Sequence, residues 1–225
     1  MTPEKTPSYR ALSIGAFVTG LGVVLWVASG FVGTGVFALG MTLLIAAVYL
    51  AGAWELRRFA QTTTALNTAL DQIPQPLTQL VDWLPKVPAG LRNAVRQRIE
   101  AERSAFPGLA LTPYLIGLLV MLGMLGTFLG MVVTFKGAVF ALEGSADLNA
   151  IRAALAAPIK GLGLSFGTSV AGVATSAMLG LMATLVRRER TQALRALDDE
   201  LLLRSPARPA LGLQLRAQLG GGGGE

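Results

Sequence analysis

Small and hydroxyl-bearing residues recur about once per helical turn in two long apolar stretches of this chain, residues 113–135 and 161–186. In the first stretch this stripe consists of Gly123, Thr127, Gly130 and Thr134, with Gly126 beside them. In the second stretch it consists of Ser165, Ser169, Gly172 and Ser176, with Thr168 and Thr175 beside them. Small residues let membrane helices pack closely, and hydroxyl groups there hydrogen-bond across helices or line a polar path. The stripe therefore has two interpretations, a helix-packing surface or a track for an ion.

Neither striped stretch contains a charged residue. Proton transport needs a group that titrates within the membrane, and carboxylates placed there are rare and functional. A hydroxyl track in this chain would therefore depend on a carboxylate from another subunit, with the hydroxyl groups as hydrogen-bonding partners. We expect an isolated copy of the protein to conduct little or nothing.

The composition indicates an integral membrane protein. Of the 225 residues, 52% are hydrophobic and 14% are charged, and the mean hydropathy is +0.57, far more apolar than a soluble domain. The chain has no cysteine and no histidine, so we predict neither an enzyme nor a metal or cofactor site. Most of the basic residues behind the net charge of +6 lie just outside the apolar stretches. This placement indicates membrane orientation and no nucleic-acid partner.

Two further spans precede the striped stretches. Residues 11–54 carry no charge, and the glycine-rich sequence SGFVGTG at residues 29–35 predicts a turn between spans near 11–29 and 34–54. Each span comes close to the roughly 20 residues that a helix needs to cross a bilayer. We therefore predict an all-α, polytopic membrane protein with four transmembrane helices. Lysine and arginine cluster at both ends of the chain and between spans two and three, which predicts cytoplasmic N and C termini.

The polar segments complete a four-part organisation. The predicted parts are an N-terminal transmembrane hairpin (1–54), a cytoplasmic helical segment (55–107), a pore-lining transmembrane pair with a periplasmic interfacial helix (108–187) and a cytoplasmic helical tail (188–225).

Helical periodicity gives the polar segments their predicted structure. An amphipathic helix broken by prolines is predicted from Leu66, Leu70, Ile73, Leu77 and Leu80. A second amphipathic helix follows from Leu91, Val95 and Ile99, whose opposite face is rich in arginine. That basic face is suited to anionic lipid, to a neighbouring subunit or to water.

The connection between the last two spans predicts a short helix at the membrane interface. Asp147 is its expected N-cap, and its apolar face consists of Leu148, Ile151, Leu155 and Ile159. In the tail, leucines at helical spacing predict a helix that continues beyond the last span. The final sequence GGGGGE resembles a linker or a truncation point, so we expect a longer native chain.

Two motifs in the striped stretches resemble a known family. The sequence LGTFLG at residues 125–130, preceded by Gly117, Leu118 and Leu119, and the sequence GLGLSFGTSVAG at residues 161–172 are similar to the last two membrane helices of the MotA/TolQ/ExbB family of stators and proton channels. The resemblance covers residues 113–187, about one third of the chain. Four spans with a cytoplasmic segment between the second and third resemble the MotA branch more than the three-span ExbB branch.

The resemblance implies a homopentamer in the bacterial inner membrane around a dimer of a MotB/ExbD/TolR-like partner. That partner has one span with an intramembrane aspartate, and a flow of H⁺ or Na⁺ between the subunits drives rotation or force. By position, Thr127 matches the family's pore threonine, and Ser169 with Thr168 matches the hydroxyl residue of the final helix. Leu164 stands where the ExbB and TolQ members carry a glutamate, so the titrating group would belong to the partner.

The candidate site therefore has two sets of residues. The ion-pathway set is Thr127, Thr134, Ser165, Thr168, Ser169 and Thr175. The helix-packing set is Gly123, Gly126, Gly130 and Gly172.

Two other functions compete with an ion-driven motor subunit. The first is a structural membrane scaffold whose stripes only pack helices and whose tail recruits cytoplasmic proteins. The second is a small-solute transporter, which the sequence disfavours because no pair of interrupted helices and no intramembrane charge is present to bind a substrate. Hydroxyl-lined tracks suit protons and sodium ions equally, so both ions stay candidates.

Overall fold

The computed structural model describes residues 7–33, 36–70, 87–99, 108–143 and 148–204. Across these ranges the chain forms helices and no strand. The helices are α1 (Pro7–Phe31), α2 (Val36–Leu70), α3 (Ala89–Ile99), α4 (Thr112–Glu143) and α5 (Leu148–Arg204). The predicted all-α class is confirmed.

Four of these helices contain segments long and apolar enough to cross a membrane. The segments are Ala11–Phe31, Val36–Ala69, Thr112–Gly137 and Ser165–Leu197. The predicted set of four membrane helices is confirmed, and the protein is a multi-pass membrane protein. The cytoplasmic location of its termini stays a prediction.

The turn between α1 and α2 lies where the glycine-rich sequence predicts it. The first helix ends at Phe31, a turn follows at Val32 and Gly33, and the second helix begins at Val36. Gly33 has a φ of 82°, a left-handed conformation that glycine adopts without steric cost. The chain therefore reverses within a few residues.

The second helix does not end where the second span is predicted to end. It continues past Trp54 to Leu70, because Glu55–Leu70 contains neither proline nor glycine and charge alone does not stop a helix. Leu66 on the predicted amphipathic face is buried. Four threonines along this extension each donate a hydroxyl to the carbonyl four residues earlier: Thr62, Thr63, Thr64 and Thr68. Ile73, Leu77 and Leu80, from the same prediction, lie outside the described residues.

The amphipathic helix predicted around Leu91 and Val95 is present as α3. Both side chains are buried, and the helix ends at Ile99. Its first turn forms on the Pro88 carbonyl, which accepts hydrogen bonds from the amides of Leu91 (2.8 Å) and Arg92 (3.0 Å).

The last two helices are longer than the predicted spans. α4 extends beyond residue 135 to Glu143. The prediction of a separate short interfacial helix is wrong, because one helix of 57 residues runs from Leu148 to Arg204. Pro158 removes only one backbone donor, and no loop-forming cluster accompanies it. Asp147, the expected N-cap, lies outside the described residues.

The chain divides into two compact units. Unit 1 comprises Met1–Leu56 and Ala110–Leu185, and unit 2 comprises Arg57–Leu109 and Val186–Glu225. The boundaries fall close to the positions where charged residues first follow the second and fourth apolar stretches. Unit 1 therefore contains every glycine, serine and threonine of the stripe.

Tyr49 fixes α1 against α2 in the core of unit 1. Its ring is buried and stacks on Phe17, with centroids 5.8 Å apart and 12° between the ring planes. Its hydroxyl donates to the carbonyls of Ala16 (3.4 Å) and Phe17 (3.2 Å). Gly20 faces this ring, and a side chain there would collide with the Tyr49 hydroxyl. The pair thus combines an aromatic contact with a hydrogen bond across two helices.

Candidate functional site

The backbones of α4 and α5 touch at a pair of glycines. A Cβ atom added to Gly172 would lie 2.6 Å from the Leu119 carbonyl oxygen and 2.7 Å from the Gly123 Cα atom. A Cβ atom on Gly123 would lie 3.1 Å from the Gly172 Cα atom and 3.2 Å from the Thr168 carbonyl oxygen. Backbone atoms cannot rotate away as a side-chain tip can, so a larger residue at either position would separate the helices.

Two further glycines of α4 face hydroxyl side chains of α5. A Cβ atom on Gly126 would lie 2.8 Å from the Thr168 Oγ1 atom. A Cβ atom on Gly130 would collide with the Ser165 Oγ atom. The four candidate packing glycines therefore all lie at the α4–α5 contact, where their missing side chains leave room for the opposite backbone or for a hydroxyl group.

Thr127, Thr168 and Ser169 form one hydroxyl cluster between the two helices. Thr127 Oγ1 is hydrogen-bonded to Ser169 Oγ and lies 3.5 Å from Thr168 Oγ1. Two carbonyl oxygens also lie within hydrogen-bonding distance of Thr127 Oγ1, that of Gly123 at 3.0 Å and that of Ser165 at 3.2 Å, and the single Thr127 hydroxyl proton has a choice of acceptors. The sequence resemblance picks out these three hydroxyl groups, and the structure brings them together.

Backbone carbonyls complete the surroundings of the hydroxyl cluster. Thr168 Oγ1 donates to the Ser165 carbonyl at 2.8 Å, and Ser169 Oγ donates to the Gly123 carbonyl at 3.1 Å. The Gly123 carbonyl is also 3.0 Å from Thr127 Oγ1. This one acceptor is therefore within hydrogen-bonding distance of a hydroxyl on α4 and a hydroxyl on α5. Hydroxyl groups in an apolar setting need such partners, because an unpaired one costs several kcal/mol (about 2–7).

Burial differs between the members of the cluster. Thr168 is 1% exposed, whereas Thr127 and Ser169 are only partly buried. The cluster therefore has a closed side against the helix contact and a side that a neighbouring molecule can reach. It contains no carboxylate, and a threonine or serine hydroxyl does not ionise at physiological pH.

Thr134 and Thr175 are not part of the hydroxyl cluster. Thr134 donates to the Gly130 carbonyl of its own helix at 2.8 Å. Thr175 is buried and donates to the Ala171 carbonyl at 2.7 Å, also within its own helix. Ser165 contributes its carbonyl to the cluster, and its hydroxyl faces Gly130. The six candidate pathway residues thus form a compact centre with separate hydroxyls above and below it.

Ser176 provides a second interhelical hydrogen bond on the same stripe. Its hydroxyl donates to the Ile116 carbonyl of α4 at 3.0 Å. Its place on the stripe is visible in the sequence, but its partner on α4 is not, because a backbone carbonyl has no residue-type signal.

Glu55 makes a polar contact that sequence reasoning missed. Its carboxylate accepts a hydrogen bond from the Thr112 hydroxyl (2.6 Å) and another from the Leu111 amide (3.1 Å). These donors lie at the start of α4, where helix amides lack intrahelical partners and favour negative charge. The sequence does contain a signal for this contact. Glu55 is the first charged residue after the long uncharged run, and an ionisable group at the end of a membrane span usually has a polar partner.

In the part of the chain that the structure describes, no group of three or more histidine, cysteine, aspartate or glutamate residues is placed to hold a metal ion. The oxygen atoms at the α4–α5 contact are hydroxyls and carbonyls. Such a set can hydrogen-bond a water molecule, a carboxylic acid or a carboxylate that approaches from its open side.

Comparison of the chain with protein-family models, with curated proteins and with solved structures finds no match.

Proposed function

We propose that this chain is the ion-conducting subunit of a membrane complex of the MotA/TolQ/ExbB type. In this proposal five copies surround a dimer of a single-span partner in a bacterial inner membrane. H⁺ or Na⁺ passes between the two proteins, and the flow is converted into mechanical work. An ion falling through 100 mV releases about 2.3 kcal/mol per charge.

One observation carries the proposal: the hydroxyl cluster of Thr127, Thr168 and Ser169 is closed on one side and partly exposed on the other. The two partly exposed hydroxyls, those of Thr127 and Ser169, can exchange hydrogen bonds with a partner's aspartate in both of its protonation states, because a hydroxyl both donates and accepts. The cluster itself holds no titrating group, so the partner is an obligatory part of the conducting unit.

The proposal is tested by ion flux in proteoliposomes that contain the chain and its single-span partner. Replacing Thr127 by valine and Ser169 by alanine removes the accessible hydroxyls, and we expect flux to fall by about tenfold or more, the effect of losing a hydrogen bond to a charged group. Thr184→Val is the matched control, because Thr184 lies on α5, is exposed and donates only to its own helix, to the Gly180 carbonyl at 2.9 Å. Its flux should stay unchanged.

The subunit count gives an independent test. Native mass spectrometry of the co-expressed complex should give five copies of this chain, with two of the partner. A monomer or dimer that captures no partner, or unchanged flux in the double variant, would overturn the proposal.

A structural scaffold is the second candidate, and the close Gly123–Gly172 approach favours it. In that case the hydroxyl groups only join helices, as their bonds to backbone carbonyls allow. A scaffold predicts that the double variant loses stability and that no ion flux exists to be lost. It also predicts no co-encoded single-span protein with an intramembrane aspartate.

A further inference from the structure

Among the residues whose side-chain exposure the structure describes, Arg190 is the only charged one that is buried. It lies on α5 in unit 2, and its side chain is 6% exposed. Its guanidinium carbon lies 4.1 Å from the centroid of the Phe59 ring of α2. Phe59 belongs to the same unit, so the contact holds the flat guanidinium group against an aromatic face.

Two nitrogens of this guanidinium group lack hydrogen-bond partners. Nε and Nη2 of Arg190 are both enclosed, and neither has a partner in the structure. These two atoms form one edge of the guanidinium plane, with one N–H bond of each pointing in the same direction. Such an edge matches two oxygens of a phosphate or a carboxylate.

A buried charge without a partner calls for an explanation. Stacking on an aromatic ring stabilises a cation only modestly, whereas enclosing an unpaired ion costs considerably more free energy. Buried polar groups in folded proteins are nearly always hydrogen-bonded, and an orphaned one often marks an absent ion or ligand. The unpartnered edge of Arg190 is therefore a candidate anion site.

The charged residues within three positions of Phe59 or Arg190 in the sequence are mostly basic. On α2, Arg57 and Arg58 precede Phe59 and are exposed. On α5, Arg187 and Arg188 are exposed, and Glu189 is the one acidic residue beside them. Five arginines and one glutamate favour a ligand of high negative charge over a single carboxylate.

We propose that Arg190 binds a phosphate oxyanion through its Nε and Nη2 edge, with Phe59 holding the guanidinium plane in place. The phosphate belongs to the headgroup of an anionic phospholipid or is free in solution. Because both nitrogens are enclosed, binding requires the groups that cover this edge to move aside. This site is independent of the hydroxyl cluster, so it can exist whether or not the chain conducts ions.

The experiment measures binding to the full chain in detergent by native mass spectrometry and by thermal unfolding. The probes are short-chain phosphatidylglycerol, inorganic phosphate and phosphatidylcholine with the same acyl chains. Wild-type protein should bind phosphatidylglycerol more tightly than phosphatidylcholine, and Arg190→Met should weaken the anionic lipid by about tenfold or more. A response to inorganic phosphate would assign the site to a free oxyanion, and its absence would assign the site to the lipid headgroup.

Arg188→Met is the matched control, because Arg188 is an exposed arginine two residues away on the same helix. It should reduce phosphatidylglycerol binding by no more than about twofold, the effect of one solvent-screened charge. Arg190→Met should fold, since methionine fills much of the same space without a charge to neutralise. Arg190→Lys, which keeps the charge but loses the paired edge, should restore binding only in part.

Equal binding of phosphatidylglycerol by the wild type and by both Arg190 variants would overturn the proposal. So would a wild-type protein that responds to none of the phosphate probes, which would point instead to a carboxylate from another protein. Unequal losses in the Arg188 and Arg190 variants, with Arg190 the larger, would support it.

Discussion

The α4–α5 contact in unit 1 and the Phe59–Arg190 contact in unit 2 differ in whether their polar groups have hydrogen-bond partners. At the first contact the hydroxyls of Thr127, Thr168 and Ser169 all find partners within the chain. At the second, two guanidinium nitrogens of Arg190 have none. Burial of polar groups is stable only when their hydrogen bonds are made. The first contact therefore makes its own hydrogen bonds within one chain while Thr127 and Ser169 stay partly exposed, and the second points to a ligand from outside the chain.

The largest expected effect tests how tightly the first contact is packed. Gly172→Ala should destabilise the protein by about 2–3 kcal/mol, because the new Cβ atom would meet backbone atoms of Leu119 and Gly123 that cannot move aside. Equilibrium unfolding in mixed micelles measures the change. Gly180→Ala is the control on the same helix, since its nearest neighbour would be the Ile116 Cδ1 atom at 3.9 Å, an ordinary contact. An equal response at the two positions would contradict the close approach.

Glu55 is a charged residue that, unlike Arg190, has hydrogen-bond partners for its charged group. Glu55→Ala should cost about 1–2 kcal/mol of stability, because it leaves the Thr112 hydroxyl and the Leu111 amide at the start of α4 without an acceptor. Glu55→Gln keeps an acceptor oxygen and should cost less. The measurement is again unfolding in micelles. If Ala and Gln prove equally mild, the carboxylate does not serve as a cap for α4.

The smallest expected effect comes from removing a single hydroxyl group at the α4–α5 contact. Thr168→Val keeps the side-chain shape and removes the bonds to the Ser165 carbonyl and to Thr127. The cost should be about 1 kcal/mol, the usual size for a hydrogen bond between membrane helices. Thr184→Val, at an exposed position of α5, should change stability by a few tenths of a kcal/mol at most. A loss that is no greater at Thr168 would show that the cluster adds nothing to helix association.

Local sequence signals predicted the elements that depend on local physics. The uncharged run from residue 11 to residue 54 and the glycine-rich sequence at residues 29–35 predict the α1–α2 hairpin, and the left-handed Gly33 lies in its turn. The stripe intervals place Gly123, Thr127 and Gly130 on one side of α4, where the structure puts them against α5. Hydropathy was a poor guide to helix ends, because the helix continues through Glu55 until something other than charge stops it.

The sequence alone determined that this chain has four apolar helices, that its hydroxyls and glycines share a helical face, and that its striped stretches carry no charge. Which of these groups meet depends on how the helices pack. The pairing of Thr127 with Ser169, of Glu55 with Thr112 and of Arg190 with Phe59 depends on the axial offset between helices far apart in sequence. Periodicity fixes the face of a helix that a residue occupies, but the offset is set by how the surfaces of two helices interlock.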